Sequence, residues 1–93
     1  MRLSTYEVST IKNIVEQLDH SAEVYLFGSR VHDDKKGGDI DLFIKSHHLV
    51  QKDAWKIKEE IWRVLGEQKI DIVIESHETT PFLKVALKEK IKL

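Results

Sequence analysis

Three aspartates have the types and spacing for metal-assisted chemistry. Asp39 and Asp41 flank Ile40, and Asp71 sits between Ile70 and Ile72. Side chains alternate across a β-strand, so Asp39 and Asp41 share one face while Ile40, Leu42 and Ile44 share the other. In the run Ile70–Ile74 the isoleucines take the core face and Asp71 the opposite one. If these two strands run parallel, their beginnings lie side by side and Asp71 comes close to the Asp39/Asp41 pair. Three gathered carboxylates repel one another unless a cation neutralises them. Such hard oxygen donors suit Mg²⁺ or Mn²⁺. Upstream, Gly28-Ser29 ends another β-branched and aromatic run. A glycine there lets backbone N–H groups approach a phosphate, and the Ser29 hydroxyl adds a donor. Arg30 follows directly and can reach phosphate oxygens. Lys35 and Lys36 read as solvated loop charges.

The elements that must position these residues are legible in order. Ser4 to Asp19 carries apolar residues Val8, Ile11, Ile14, Val15 and Leu18 at helical spacing, and Ser4-Thr5-Tyr6-Glu7 has the form of a capping box. Glu23 to Phe27 reads as a strand, Ser29 to Gly38 as a loop closed by Gly37-Gly38, and Ile40 to Lys45 as a second strand. Val50 to Leu65 reads as a helix stopped by Gly66, with Ala54, Ile57, Ile61 and Leu65 on one face. Lys69 to Glu75 is a third strand, and Thr80-Pro81 opens a last helix with Phe82, Val85 and Ala86 on its apolar side. The expected order is α-β-β-α-β-α. The first two strands, joined by a loop too short for a crossover, should be antiparallel. The second and third are joined by a helix of about four turns, which permits a parallel right-handed crossover. This is a small α+β fold: a mixed, three-stranded sheet with helices mainly on one face.

Other residues read more plainly. His47-His48 is a loop pair, because adjacent side chains point apart, and Lys69 is an edge charge with no special role. Trp55 and Trp62, seven residues apart, share a helix face. That face either packs in the core or forms an exposed aromatic stripe for a helical partner.

Composition excludes several classes. The chain of 93 residues is read as a single domain, 1–93. Lys+Arg is 15 and Asp+Glu 16, so there is no basic excess of the kind that marks a nucleic-acid binder. Cysteine is absent, which removes disulfides, thiolate metal sites and a cysteine nucleophile. No stretch longer than six residues lacks a charged side chain, far short of the roughly 20 apolar residues of a membrane span. The first residues carry no apolar leader, and a cytoplasmic location is expected.

The segments Leu26-Phe27-Gly28-Ser29-Arg30, Gly37-Gly38-Asp39-Ile40-Asp41-Leu42 and Ile70-Asp71-Ile72-Val73 together resemble the nucleotidyltransferase superfamily of the DNA polymerase beta type. The short chain is most similar to its minimal nucleotidyltransferase (MNT) branch. The family pattern is a Gly-Ser, then an Asp-x-Asp, then a third acid on a later strand. One position departs from it: Gly38 stands where the family usually has Ser. The resemblance implies a palm-like fold and Mg²⁺·ATP chemistry with two metal ions. Asp39, Asp41 and Asp71 would be catalytic and metal-binding; Gly28, Ser29, Arg30 and Gly38 would contact the nucleotide. It also implies a helical HEPN-type partner encoded nearby, with this chain as the antitoxin of a toxin–antitoxin pair that transfers AMP to a hydroxyl of its toxin. The alternatives are a non-catalytic antitoxin that masks its toxin, and the catalytic half of a split enzyme that modifies a small molecule.

Overall fold

A computed structural model of the chain describes residues 3–31, 39–77, 84 and 88–93. The elements begin with helix α1 (Thr5–Leu18), strand β1 (Glu23–Phe27), a 3₁₀ turn (Gly28–Val31) and strand β2 (Ile40–Lys45). A second 3₁₀ turn (Gln51–Asp53), helix α2 (Ala54–Leu65) and strands β3 (Ile70–Glu75) and β4 (Ile91–Lys92) follow. The sheet order is β3-β2-β1-β4. β1 pairs antiparallel with β2 and β4, while β2 and β3 are parallel, as the connecting helix permits. The sheet therefore has four strands rather than the expected three. The addition is a two-residue pairing in which Leu26 faces Ile91 and Tyr25 faces Lys92. The last helix expected from Thr80-Pro81 lies outside the described residues, as do Gly38, Lys35 and Lys36. No helix among the described residues is long and apolar enough to cross a membrane.

Local chemistry sets the ends of the helices. The Ser4 hydroxyl accepts from the Glu7 N–H at 3.1 Å and the Glu7 carboxylate accepts from the Ser4 N–H at 2.8 Å, a closed capping box. α2 starts later than the sequence pattern suggests, because Asp53 first accepts from the Val50 N–H at 2.8 Å and shapes the turn Gln51–Asp53. It ends at Gly66, whose φ of +88° only glycine adopts without strain.

Both helices pack on one face of the sheet. Val24 and Leu26 of β1, Ile40, Leu42 and Ile44 of β2, and Ile70, Ile72 and Ile74 of β3 meet Ile11, Val15, Ile57 and Ile61 in one buried cluster. β1, β2 and β3 contribute alternate residues to it, which sends Asp41 and Asp71 to the other face. That second face is not simply polar. Phe43 is completely buried there, with Tyr25, Phe27 and Val73 against it.

β3 is an edge strand, and one side chain closes much of its open side. The Gln51 amide donates to the Ile72 carbonyl and accepts from the Ile74 N–H, both at 2.7 Å. The N–H and C=O of one residue in a neighbouring parallel strand would make the same two bonds on either side of Val73. The exposed edge is thereby blunted against pairing with another chain.

Candidate active site

The two aspartates on facing strands are brought together by register. Asp41 of β2 pairs directly with Asp71 of the parallel strand β3. Both side chains stand on the face away from the helices. Asp39 sits one residue before β2, and Lys69 one residue before β3. The Ile40 N–H donates to the Lys69 carbonyl at 3.1 Å, which locks the two strand entries side by side. The Asp39 carboxylate then meets the Lys69 ammonium at 3.4 Å. Lys69, read from the sequence as an idle edge charge, is therefore part of the acid cluster's surroundings. Its position two residues before Asp71, matching that of Asp39 before Asp41, was the available signal.

On the other side of β2, Phe27 pairs with Asp41, so the chain leaves β1 at Gly28 directly beside the same carboxylate. Gly28 has φ +77°, in the left-handed region. A Cβ built there collides with the Asp41 carboxylate, whose Cγ lies 3.1 Å away. Glycine is thus required twice, for its backbone angle and for close approach. The turn Gly28–Val31 carries the Ser29 backbone and half-buried Arg30 next to the site.

Electrostatics confirm that these carboxylates share one environment. The Asp41 carboxyl is pushed above its ordinary range, first by burial, then by the negative charges of Asp71 and Asp39 and a hydrogen bond with Asp71. The Lys69 ammonium works against that rise. Among the described residues, no three His, Asp or Glu side chains converge tightly as a ready metal cage, since the Asp39 carboxylate is held toward Lys69. The donor set nevertheless fits a hard divalent cation: carboxylates from adjacent strands, one of them raised by burial and then by like charges that a dication would cancel.

A groove of about 370 Å³ runs from Asp71 along the edge strand, lined by Gln51, Ala54, Trp55, Lys58, Ile72 and Val73. Trp55 is 58% exposed there, so the two tryptophans differ in burial. Trp62 is half-buried and donates its indole N–H to the Gln68 carbonyl at 2.7 Å, while Trp55 stands edge-on to it, ring centroids 5.9 Å apart. The Lys58 ammonium lies over both rings, at 5.7 and 5.8 Å.

A larger cleft, about 580 Å³, opens at the far end of the sheet between Asp19, Ser21, Glu23, Lys45, Ser46, His47 and His48. Its chemistry is already committed. The buried Ser46 hydroxyl donates to Asp19 at 2.6 Å and accepts from the N–H groups of His48 and Leu49. That arrangement ties the end of α1 to the loop after β2.

A family model described as Polymerase beta, Nucleotidyltransferase matches residues 9–93. None of the curated proteins matches the chain. The matched span covers every strand and all of the clustered aspartates.

Proposed function

This chain belongs to the polymerase beta nucleotidyltransferase family, and from that premise we propose that it transfers AMP from ATP to a hydroxyl acceptor on a helical partner protein of the HEPN type. In this reading it is the antitoxin of a toxin–antitoxin pair and acts in the cytoplasm. The observation that carries the catalytic part is the direct register of Asp41 with Asp71, with Gly28 packed against Asp41.

Asp39, Asp41 and Asp71 would hold Mg²⁺, with two ions expected and Mn²⁺ able to substitute. Bound there, the metal supplies charge neutralisation for the triphosphate and for the developing oxyanions of an in-line displacement. The chain's own residues do the rest. Gly28 lacks the Cβ that would collide with the Asp41 carboxylate, so the backbone at the end of β1 lies directly beside it. Ser29, Arg30 and Gly38 are placed by sequence to contact the phosphates. Asp71 lines the groove and is exposed, so it faces the acceptor side and can accept the hydroxyl proton at its carboxylate. The acceptor oxygen bonds to the α-phosphorus, the bond from that phosphorus to the bridging oxygen breaks, and pyrophosphate leaves.

The test is incubation of the chain and the product of its neighbouring gene with α-labelled ATP and Mg²⁺. Label on the neighbour supports the proposal, and its loss in Asp41→Asn assigns the chemistry to this site. Label on a small molecule would replace it with a split enzyme, and no label with an antitoxin that works by masking.

A further inference from the structure

We infer that Lys69 is a built-in counter-cation for the acid cluster, its ammonium holding the Asp39 carboxylate until a divalent cation takes its place. The inference deepens the proposed metal site and rests on that reading.

The pair is made by the sheet, not by chance contact of two long side chains. Ile40 and Ile70 are register partners, so the residues before them face each other across the two strands. The Ile40 N–H bond to the Lys69 carbonyl, 3.1 Å, fixes that relation in the backbone. From there the Lys69 ammonium reaches Asp39 Oδ2 at 3.4 Å. The Lys69 ammonium is therefore set at the entry of the two strands that carry the carboxylates.

The same geometry makes the ammonium replaceable. The Lys69 side chain is 74% exposed and that of Asp39 38%, so the pair is mostly solvated and weakly held. A dication entering between Asp39, Asp41 and Asp71 would meet the repulsion of this ammonium and would need the carboxylate that it holds. Binding is then an exchange of cations, in which Lys69 releases Asp39 and swings into solvent. The device has two effects. It relieves repulsion among the acids when no metal is present, and it weakens the grip on metal by competing for a ligand.

The experiment is titration of the 93-residue chain with Mn²⁺ by calorimetry at low salt, for wild type, Lys69→Met and Lys69→Arg, with thermal melting of each in EDTA. Lys69→Met is expected to bind Mn²⁺ about three- to tenfold more tightly, equivalent to about 0.7–1.4 kcal/mol, and to melt below wild type in EDTA. Lys69→Arg is expected to keep the wild-type affinity. Damage to the fold would weaken metal binding, so tighter binding by a less stable variant separates competition from a structural role. If wild type binds Mn²⁺ and Lys69→Met binds it no more tightly, Lys69 is not a competitor and the acid cluster stands without it. If no form binds Mn²⁺, the inference and the proposed metal site fall together.

Discussion

The Asp41 carboxylate occupies the space that a Cβ on Gly28 would need. One residue at the end of β1 and one near the start of β2 are thereby fitted to each other across the antiparallel pair, where Phe27 faces Asp41.

Gly28→Ala should therefore destabilise the fold. A left-handed backbone costs an alanine about 1–2 kcal/mol, and Gly28 has φ +77°. The clash with Asp41 adds to that by displacing the carboxylate. Urea denaturation should show the loss, and Mn²⁺ binding should weaken with it. Unchanged stability and metal affinity would mean that the Gly28–Asp41 fit constrains nothing.

Asp41→Asn should be at least as stable as wild type without metal and less stable than wild type with it. The Asp41 carboxyl is raised in the folded state, so the native protein holds that proton more firmly than the unfolded chain. The stability this contributes is present below the ordinary carboxylate pKa and is lost as pH climbs through the raised native value. At pH 7 in EDTA the wild type bears the full repulsion, and Asp41→Asn should melt at an equal or higher temperature. That advantage should vanish as the pH falls through the acid range. With Mn²⁺ at a hundredfold excess over Kd, wild type should gain about 2.7 kcal/mol and the variant little. Melting curves at several pH values, with EDTA and with Mn²⁺, decide both signs.

Gln51→Ala should uncover the β3 edge. The substitution removes two 2.7 Å hydrogen bonds to Ile72 and Ile74, at a cost of about 1–2 kcal/mol. The bared edge should also favour association between copies. Chemical denaturation gives the first effect and sedimentation at rising concentration the second. Gln51→Glu, which keeps the size but cannot donate to the Ile72 carbonyl, should share most of the loss.

Ser46→Ala should weaken the far end of the sheet and flatten its response to acid. The buried Ser46 hydroxyl bonds Asp19 and two backbone N–H groups, and its removal should cost about 1–3 kcal/mol. The Asp19 carboxyl is held below its usual range, first by the Ser46 hydroxyl and then by the Ser21 N–H. A lowered carboxyl contributes stability above its unfolded pKa that disappears as pH falls through the native value. The gap between wild type and variant should therefore be widest near neutral pH and narrow in acid. A constant gap across that range would show that Asp19 takes no part.

Much of the site followed from local rules. The pleat repeats every two residues, so Ile40-Asp41-Leu42 and Ile70-Asp71-Ile72 assign their own faces without knowledge of the rest of the chain. The length of the connection between β2 and β3 permits a crossover, and the parallel pairing it allows brings Asp41 to Asp71. The capping box at Ser4 and the stop at Gly66 are equally local, each decided within one helical turn. The remaining features join residues far apart in sequence, through groups whose local pattern is uninformative. Phe43 looks like any strand aromatic until Tyr25, Phe27 and Val73 close around it. Two residues at the chain's end become β4 only because β1 offers an open edge. Gln51 and Lys69 are ordinary polar residues in the sequence. Tertiary structure makes the first a substitute for a strand and the second the partner of Asp39, because an amide or an ammonium takes its role from whatever unpaired group or charge the fold sets within its reach.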